Sequence, residues 1–163
     1  MEQAYSLGLR LLILPHDRWE KIIALNMNAV FYMSQLAGKT MLAQKYGKII
    51  NIASMTAFFA SVLIPAYSAS KGGVAQITKA LSNEWAGQGV NVNAIAPGYM
   101  ATELTANIKE VNPKQYEEIT SRIPAGRWGR MEDLQGLAVF LASDASSYIS
   151  GAVIPVDGGF MGK

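Results

Sequence analysis

Gly47-Lys48-Ile49-Ile50-Asn51-Ile52-Ala53-Ser54 is the stretch from which the fold is read. A glycine opens a short apolar run, the run is too brief for a buried helix, and a serine closes it, so Lys48 to Ala53 reads as a buried strand with Ser54 at its C-terminal end. On its N-terminal side, from Asp17 to about Gln44, Trp19, Ile22, Ile23, Leu25, Met27, Val30, Phe31, Met33, Leu36 and Met41 recur at near-helical spacing. One long helix is expected there, with Asp17 as a candidate cap. On the C-terminal side a loop through Pro65 leads to a second long helix, Ala66 to Ala86, rich in small residues that let backbones approach closely. Gly87 and Gly89 end it, and Val90 to Ala96 reads as the next strand, stopped by Pro97-Gly98.

Beyond a polar segment containing Asn112-Pro113, Glu132 to Ser143 carries Leu134, Leu137, Ala138, Phe140 and Leu141 on a helical period. Ala152 to Val156 reads as a last strand, followed by Asp157-Gly158-Gly159. Helix alternates with strand throughout, and each crossover contains a helix, so the expected fold class is α/β with a parallel sheet. No repeat, linker or low-complexity stretch interrupts it.

Bulk properties exclude several functions. In 163 residues, half of them hydrophobic, there is material for one real core. The 14 Lys+Arg and 12 Asp+Glu give a net charge of +2 without a basic block or stripe, which argues against nucleic acid as a partner. No cysteine is present, so disulfides and thiolate metal sites are out, and the single histidine, His16, reads as a solvated residue at a helix start. The apolar stretch Leu9 to Leu14 is broken by Arg10 and stopped by Pro15, far short of the ~20 residues that span a bilayer. No secretory leader is recognisable, and a cytoplasmic protein without a membrane partner is expected.

In an open parallel sheet ligands gather beyond the carboxyl ends of the strands, so Ser54, Pro97-Gly98 and Asp157 should share one edge. In Tyr67-Ser68-Ala69-Ser70-Lys71 the phenol and the ammonium stand four residues apart, on one helix face. A phenol that ionises near ~10 is a poor proton exchanger at neutral pH, and lowering it by ~3 units takes ~4 kcal/mol, within reach of one close cation in a dry cleft. Ser54 could hold a carbonyl oxygen toward Tyr67.

The order Asn51-Ile52-Ala53-Ser54, then Tyr67-Ser68-Ala69-Ser70-Lys71-Gly72-Gly73, then Val92 to Thr102 and the closing Val156-Asp157-Gly158-Gly159 resembles the short-chain dehydrogenase/reductase family over about Asp17 to Gly159. That resemblance implies a Rossmann-like, doubly wound parallel sheet and a nicotinamide cofactor, NAD or NADP, with NAD favoured. It implies Tyr67 as the acid/base, Lys71 lowering its pKa and binding the nicotinamide ribose, Ser54 orienting the substrate carbonyl, and Asn26 holding a relay water near the lysine. It also places Pro97, Gly98, Met100 and Thr102 in the nicotinamide pocket, and calls for no metal. Asn93 is given no chemical role and is read as satisfying backbone groups.

Ile49 to Met55, Asn91 to Thr102 and Arg122 to Gly129 are similar to the family's sugar-acid (deoxygluconate) branch, whose members interconvert a secondary alcohol and a ketone. A carboxylated substrate would suit a cation, and Arg122, Arg127 and Arg130 fall in the variable lid region. Against the family pattern, no Gly-x-x-x-Gly-x-Gly precedes Asp17 and residues 1–16 match nothing in it, so the expectation is the C-terminal catalytic part, residues 17–163, with the nucleotide-binding strands missing. Lys48 to Ala53 should then be an edge strand, with Leu9 to Leu14 a candidate to pair with it. Family tetramers pack the two long helices against symmetry mates, which implies a homo-oligomer. The alternative to a sugar-acid oxidoreductase is a catalytically silent remnant serving as an oligomerisation or binding module.

Overall fold

The computed structural model describes residues 11–162, apart from the side chains of Leu104, Ala106 and Asn107. Its centre is a three-stranded parallel sheet of β1 (Gly47–Ile52), β2 (Val90–Pro97) and β3 (Val153–Val156), in that spatial order. β1 runs beside β2 from Gly47 opposite Val90 to Ile52 opposite Ile95, and β3 flanks the last residues of β2. This is a partial Rossmann-like sheet of the expected α/β class.

The first long helix is not continuous. α1 (His16–Ile23) passes through one π-helical turn, Ala24–Asn28, into α2 (Ala29–Gln44). Asp17 lies in the first turn, where it pairs with Lys21 at 3.4 Å, and does not cap α1; the cap position belongs to Pro15. His16 is exposed as the first helical residue, as expected. α3 (Pro65–Trp85) starts with proline at its first position, where the missing N–H costs nothing. The turn that follows it ends at Gly89 with φ +85°, and a Cβ there would run into the Lys45 carbonyl.

The segment between β2 and the last predicted helix holds two short helices in place of a polar connection, α4 (Glu103–Val111) and α5 (Pro113–Ser121). Thr102 and Thr105 form a reciprocal cap on α4, and Asn112 caps α5 by accepting from the Gln115 N–H at 3.2 Å. α6 (Glu132–Ala142) then packs along β1 and β2 before β3 closes the sheet.

The core sits between the sheet and the paired helices. Ile49, Val90 and Val92 of the sheet meet Leu81 and Trp85 of α3, with Ala37 and Met41 of α2 packed on the same cluster. Asn51 ties the three elements together: its amide donates to Thr78 on α3 at 3.0 Å, and its carbonyl accepts from Ser34 on α2 at 3.4 Å. Such a buried, satisfied amide fixes the strand's register against both helices.

β1 forms one border of the sheet, as expected. Leu11–Ile13 form a single exposed 3-10 turn, so the expected pairing of Leu9 to Leu14 with β1 fails for these residues; positions 9 and 10 lie outside the described residues. Pro15 and the polar start of α1 lead the chain away from an extended path. No helix among the described residues is long and apolar enough to cross a membrane.

Candidate active site

Because the strands are parallel, their C-terminal ends share one edge, and Ser54, Pro97-Gly98 and Asp157 fall there together. Ser54 follows β1 in extended conformation and caps a 3-10 turn, Met55–Ala57, its hydroxyl oxygen accepting from the Thr56 N–H at 3.2 Å. The same hydroxyl is hydrogen-bonded to the phenol of Tyr67, a contact that favours the phenolate. The turn packs closely against α3, which brings the two side chains together from different elements.

Burial pushes the Tyr67 phenol above its ordinary 10.0, and the Ser54 hydrogen bond pulls it back only in part. This differs from the expectation that Lys71 brings the phenol down. The Lys71 ammonium lies 5.7 Å from the centre of the Tyr67 ring, and it donates instead to the Ile52 carbonyl at 2.7 Å. The ladder explains why that carbonyl is available. Ala53 N–H bonds to Ile95 on β2, so alternation turns the polar groups of Ile52 to the outer border of β1, where no described strand takes them. Burial also lowers the Lys71 pKa below 10.5.

Asn26 stands in the π-helical turn, the kind of local widening that recurs at functional positions. Its side-chain amide nitrogen is buried and has no hydrogen-bond partner among the described residues. Asn26 and Lys71 line one groove of about 540 Å³ that runs between α2 and the outer border of β1. A buried donor left open in the groove that the ammonium also lines suits a bridging water.

At the end of β2, Gly98 N–H bonds to the Val156 carbonyl at 2.9 Å, and a Cβ on Gly98 would fall 2.7 Å from the Asp157 Cα. Glycine is therefore needed for β2 and β3 to end side by side. Met100 bridges to Gly129, and its carbonyl accepts from the Thr105 hydroxyl at 2.8 Å. The Thr102 hydroxyl is 3.3 Å from that same Thr105 hydroxyl. Both groups are thus already engaged in capping α4. Asn93 satisfies backbone as read: it donates to Ile149 at 2.9 Å and accepts from Ala152 at 3.0 Å.

The three arginines separate clearly. Arg127 forms a two-pronged ion pair with Asp133 at 2.7 and 2.9 Å, which holds that carboxyl well below the usual range. Arg130 donates its backbone N–H to Asp133. Arg122 instead lays its guanidinium over the Phe160 ring, 4.6 Å from the centre. No cluster of acidic or histidine side chains that could hold a metal occurs among the described residues.

The arrangement of Ser54 and Tyr67 at one edge of this sheet is joined by an overall match. The family profile described as enoyl-(acyl carrier protein) reductase covers residues 3–161. The chain belongs to the short-chain dehydrogenase/reductase family. Two curated family members are similar over most of its length. The 2-dehydro-3-deoxy-D-gluconate 5-dehydrogenase of Bacillus subtilis (strain 168) is 50% identical over 149 residues, 91% of this chain and 58% of the relative. The protein of the same description from Pseudoalteromonas atlantica is 52% identical over 147 residues, 90% of this chain and 58% of the relative. A crystal structure of gluconate 5-dehydrogenase from Burkholderia cenocepacia J2315 with NADP and tartrate superposes with a TM-score of 0.90 at 37% identity, covering 96% of this chain and 61% of that one. The chain thus spans about 58% of the length of the curated short-chain dehydrogenase/reductase relatives it matches.

The described residues fit the nicotinamide end of such a cofactor. Tyr67 and Lys71, with the segment from Pro97 to Thr102, stand toward the sheet edge where it would lie, and the open Asn26 amide lines the same groove as Lys71. The sequence contains no Gly-x-x-x-Gly-x-Gly turn for the pyrophosphate.

Proposed function

We propose that residues 17–163 are the catalytic part of a nicotinamide-dependent oxidoreductase acting on a secondary alcohol or ketone of a sugar acid; the family profile extends the match back to residue 3. The observation that carries this reading is the hydrogen bond from Ser54 to the Tyr67 phenol at the C-terminal edge of the sheet. Support comes from the 2-dehydro-3-deoxy-D-gluconate 5-dehydrogenases and from a gluconate 5-dehydrogenase that holds NADP and tartrate.

A substrate carbonyl oxygen placed between Ser54 and Tyr67 accepts hydrogen bonds from both, and Tyr67 delivers the proton as negative charge builds on that oxygen. When bound, the nicotinamide supplies or accepts the hydride. Lys71 and Tyr67 would hold its ribose, and Pro97, Gly98, Met100 and Thr102 would line its ring. A phenol above its ordinary pKa is fully protonated at neutral pH, which suits carbonyl reduction. Oxidation calls for phenolate, and so for Lys71 to leave Ile52 and approach Tyr67.

A second reading has one observation in its favour. With Lys71 held on the Ile52 carbonyl, the chain by itself is not poised for phenolate chemistry, as expected of a silent binding or oligomerisation module. For oligomerisation the exposed apolar side chains Leu25, Phe31, Tyr32, Met33 and Leu36 offer a surface. A homo-oligomer is the expected outcome of light scattering; a monomer at all concentrations would remove that part.

Calorimetric titration with NADH and with NADPH, and then turnover of 2-dehydro-3-deoxy-D-gluconate, tests the main reading. We expect weak turnover that falls at least 100-fold in Tyr67→Phe, on the order of the acid–base contribution. Turnover indifferent to Tyr67→Phe overturns it, and a complete lack of turnover in wild type selects the second reading.

A further inference from the structure

Next to the catalytic edge lies a second concavity, of about 390 Å³, lined by Phe58, Phe59, Arg122, Phe160 and Met161. Its size is that of a small-molecule site. It stands beside Ser54 through the chain itself: Phe58 comes directly after the Met55–Ala57 turn that Ser54 caps, its N–H bonding to the Met55 carbonyl at 3.0 Å. Met55 in turn packs with Ile123 and Phe160 in one buried cluster. A molecule whose carbonyl is held by Ser54 could therefore extend along this turn into the concavity.

The walls are aromatic, and among the described residues Arg122 is the only charged one that lines them. Phe59 stacks on Phe160 with ring centres 6.1 Å apart, and the guanidinium covers the same Phe160 ring. A cation lying flat on an aromatic face is fixed in orientation while the in-plane N–H groups keep their donors free. No carboxylate neutralises it among the described residues, in contrast to Arg127, whose fork is already filled by Asp133. A planar donor fork held flat against an aromatic face matches a carboxylate, which it binds through two parallel hydrogen bonds.

From this geometry we infer that Arg122 and the aromatic bowl of Phe58, Phe59 and Phe160 form a subsite for the carboxylate of the substrate. The inference deepens the proposed function and rests on it for the identity of the ligand, a hydroxylated monocarboxylate. Arg122 selects acids over neutral polyols of the same length, and the fork of Arg127 stays on Asp133.

The test needs no cofactor. Binding of D-gluconate and of the neutral polyol D-glucitol to the full chain is measured by calorimetry or saturation-transfer NMR. Wild type is expected to bind gluconate about tenfold more tightly than glucitol, the strength of one charge-assisted bidentate contact. Arg122→Met, which keeps the apolar cover on Phe160, abolishes the preference, and Arg122→Lys, which keeps the charge without the fork, retains a few-fold part of it. Circular dichroism establishes that each variant is folded. A preference for gluconate that survives in Arg122→Met, or its absence in wild type, overturns the subsite. Tyr67→Phe separates the two ideas, because it weakens acid and polyol alike and is expected to leave the gluconate-over-glucitol ratio unchanged. Turnover insensitive to Tyr67→Phe sinks the oxidoreductase reading and leaves the gluconate preference standing.

Discussion

Ser54 with Tyr67 and Asn26 with Lys71 are the two halves of the proposed site, and they meet different surroundings. The first pair lies where β1, the 3-10 turn and α3 all belong to the described chain, and its hydrogen bonds close on one another. The second pair faces the groove along the outer border of β1, where the amide of Asn26 is left open and the ammonium of Lys71 turns to a main-chain carbonyl. A side chain with four rotatable carbons goes to the strongest acceptor in reach, and an unpaired strand carbonyl is such an acceptor. A residue's helix position thus fixes where it starts, while the pairing state of the neighbouring strand fixes what it holds.

The sharpest way to break this comparison is on the closed side. Ser54→Ala removes the donor to the phenol, and turnover is expected to fall by about 10²–10³, as for loss of one preorganised donor. In the same variant, alkaline titration monitored by phenolate absorbance should show Tyr67 ionising at still higher pH, since the contact with Ser54 that lowers it is gone. An unchanged titration would remove the Ser54–Tyr67 bond from the account.

Next in size is a pair of glycine substitutions read by urea denaturation. Gly98→Ala drives a Cβ against Asp157 backbone and should cost about 1–3 kcal/mol. Gly72→Ala, in α3, meets nothing within 4 Å and should stabilise by about 0.5–1 kcal/mol. Equal effects at the two positions would mean that the β2–β3 ends are not tightly joined.

Stability should respond to pH in two opposite ways. Tyr67 is raised, so the stability it confers is present below pH 10.0 and is lost as the pH climbs through its folded value. Lys71 is lowered, so its contribution grows as the pH rises from its folded value toward 10.5. In denaturation series across this range, Tyr67→Phe is expected to flatten the alkaline loss and Lys71→Met the preceding rise. The smallest expected effect is that of Lys71→Met on the phenol titration itself: none resolved, because the ammonium is engaged by Ile52. A marked upward shift of Tyr67 in that variant would show that the lysine already reaches it.

Much of this is legible in the residues. The apolar run marks β1 from Lys48, one residue late, since Gly47 pairs with Val90 despite lacking a side chain. α3 is legible to within a residue because Pro65 and the glycines after Trp85 punctuate it. The π-helical turn is hidden, because Ile22, Ile23, Leu25, Met27, Val30 and Phe31 are apolar in several phases and absorb one extra residue without a visible break. α4 and α5 carry signals that could expose them, Thr102 with Thr105 and Asn112 before Pro113, but their polar composition suppresses the periodicity. The aromatic bowl draws on three stretches roughly 40 to 100 positions apart, which no local pattern joins. Lys71 can be placed on the correct helix face; its acceptor depends on a strand border that no property of the lysine encodes.

The π-helical turn at Ala24–Asn28 has a consequence for how this rod can change. One surplus residue rotates the N-terminal half of the rod by about 100° relative to the half beyond it. Excising a single position there would restore ordinary winding and a better-bonded cylinder, and would swing Asn26 away from the groove it now shares with Lys71. The rod therefore keeps a mechanical defect at the position that holds Asn26 toward this groove.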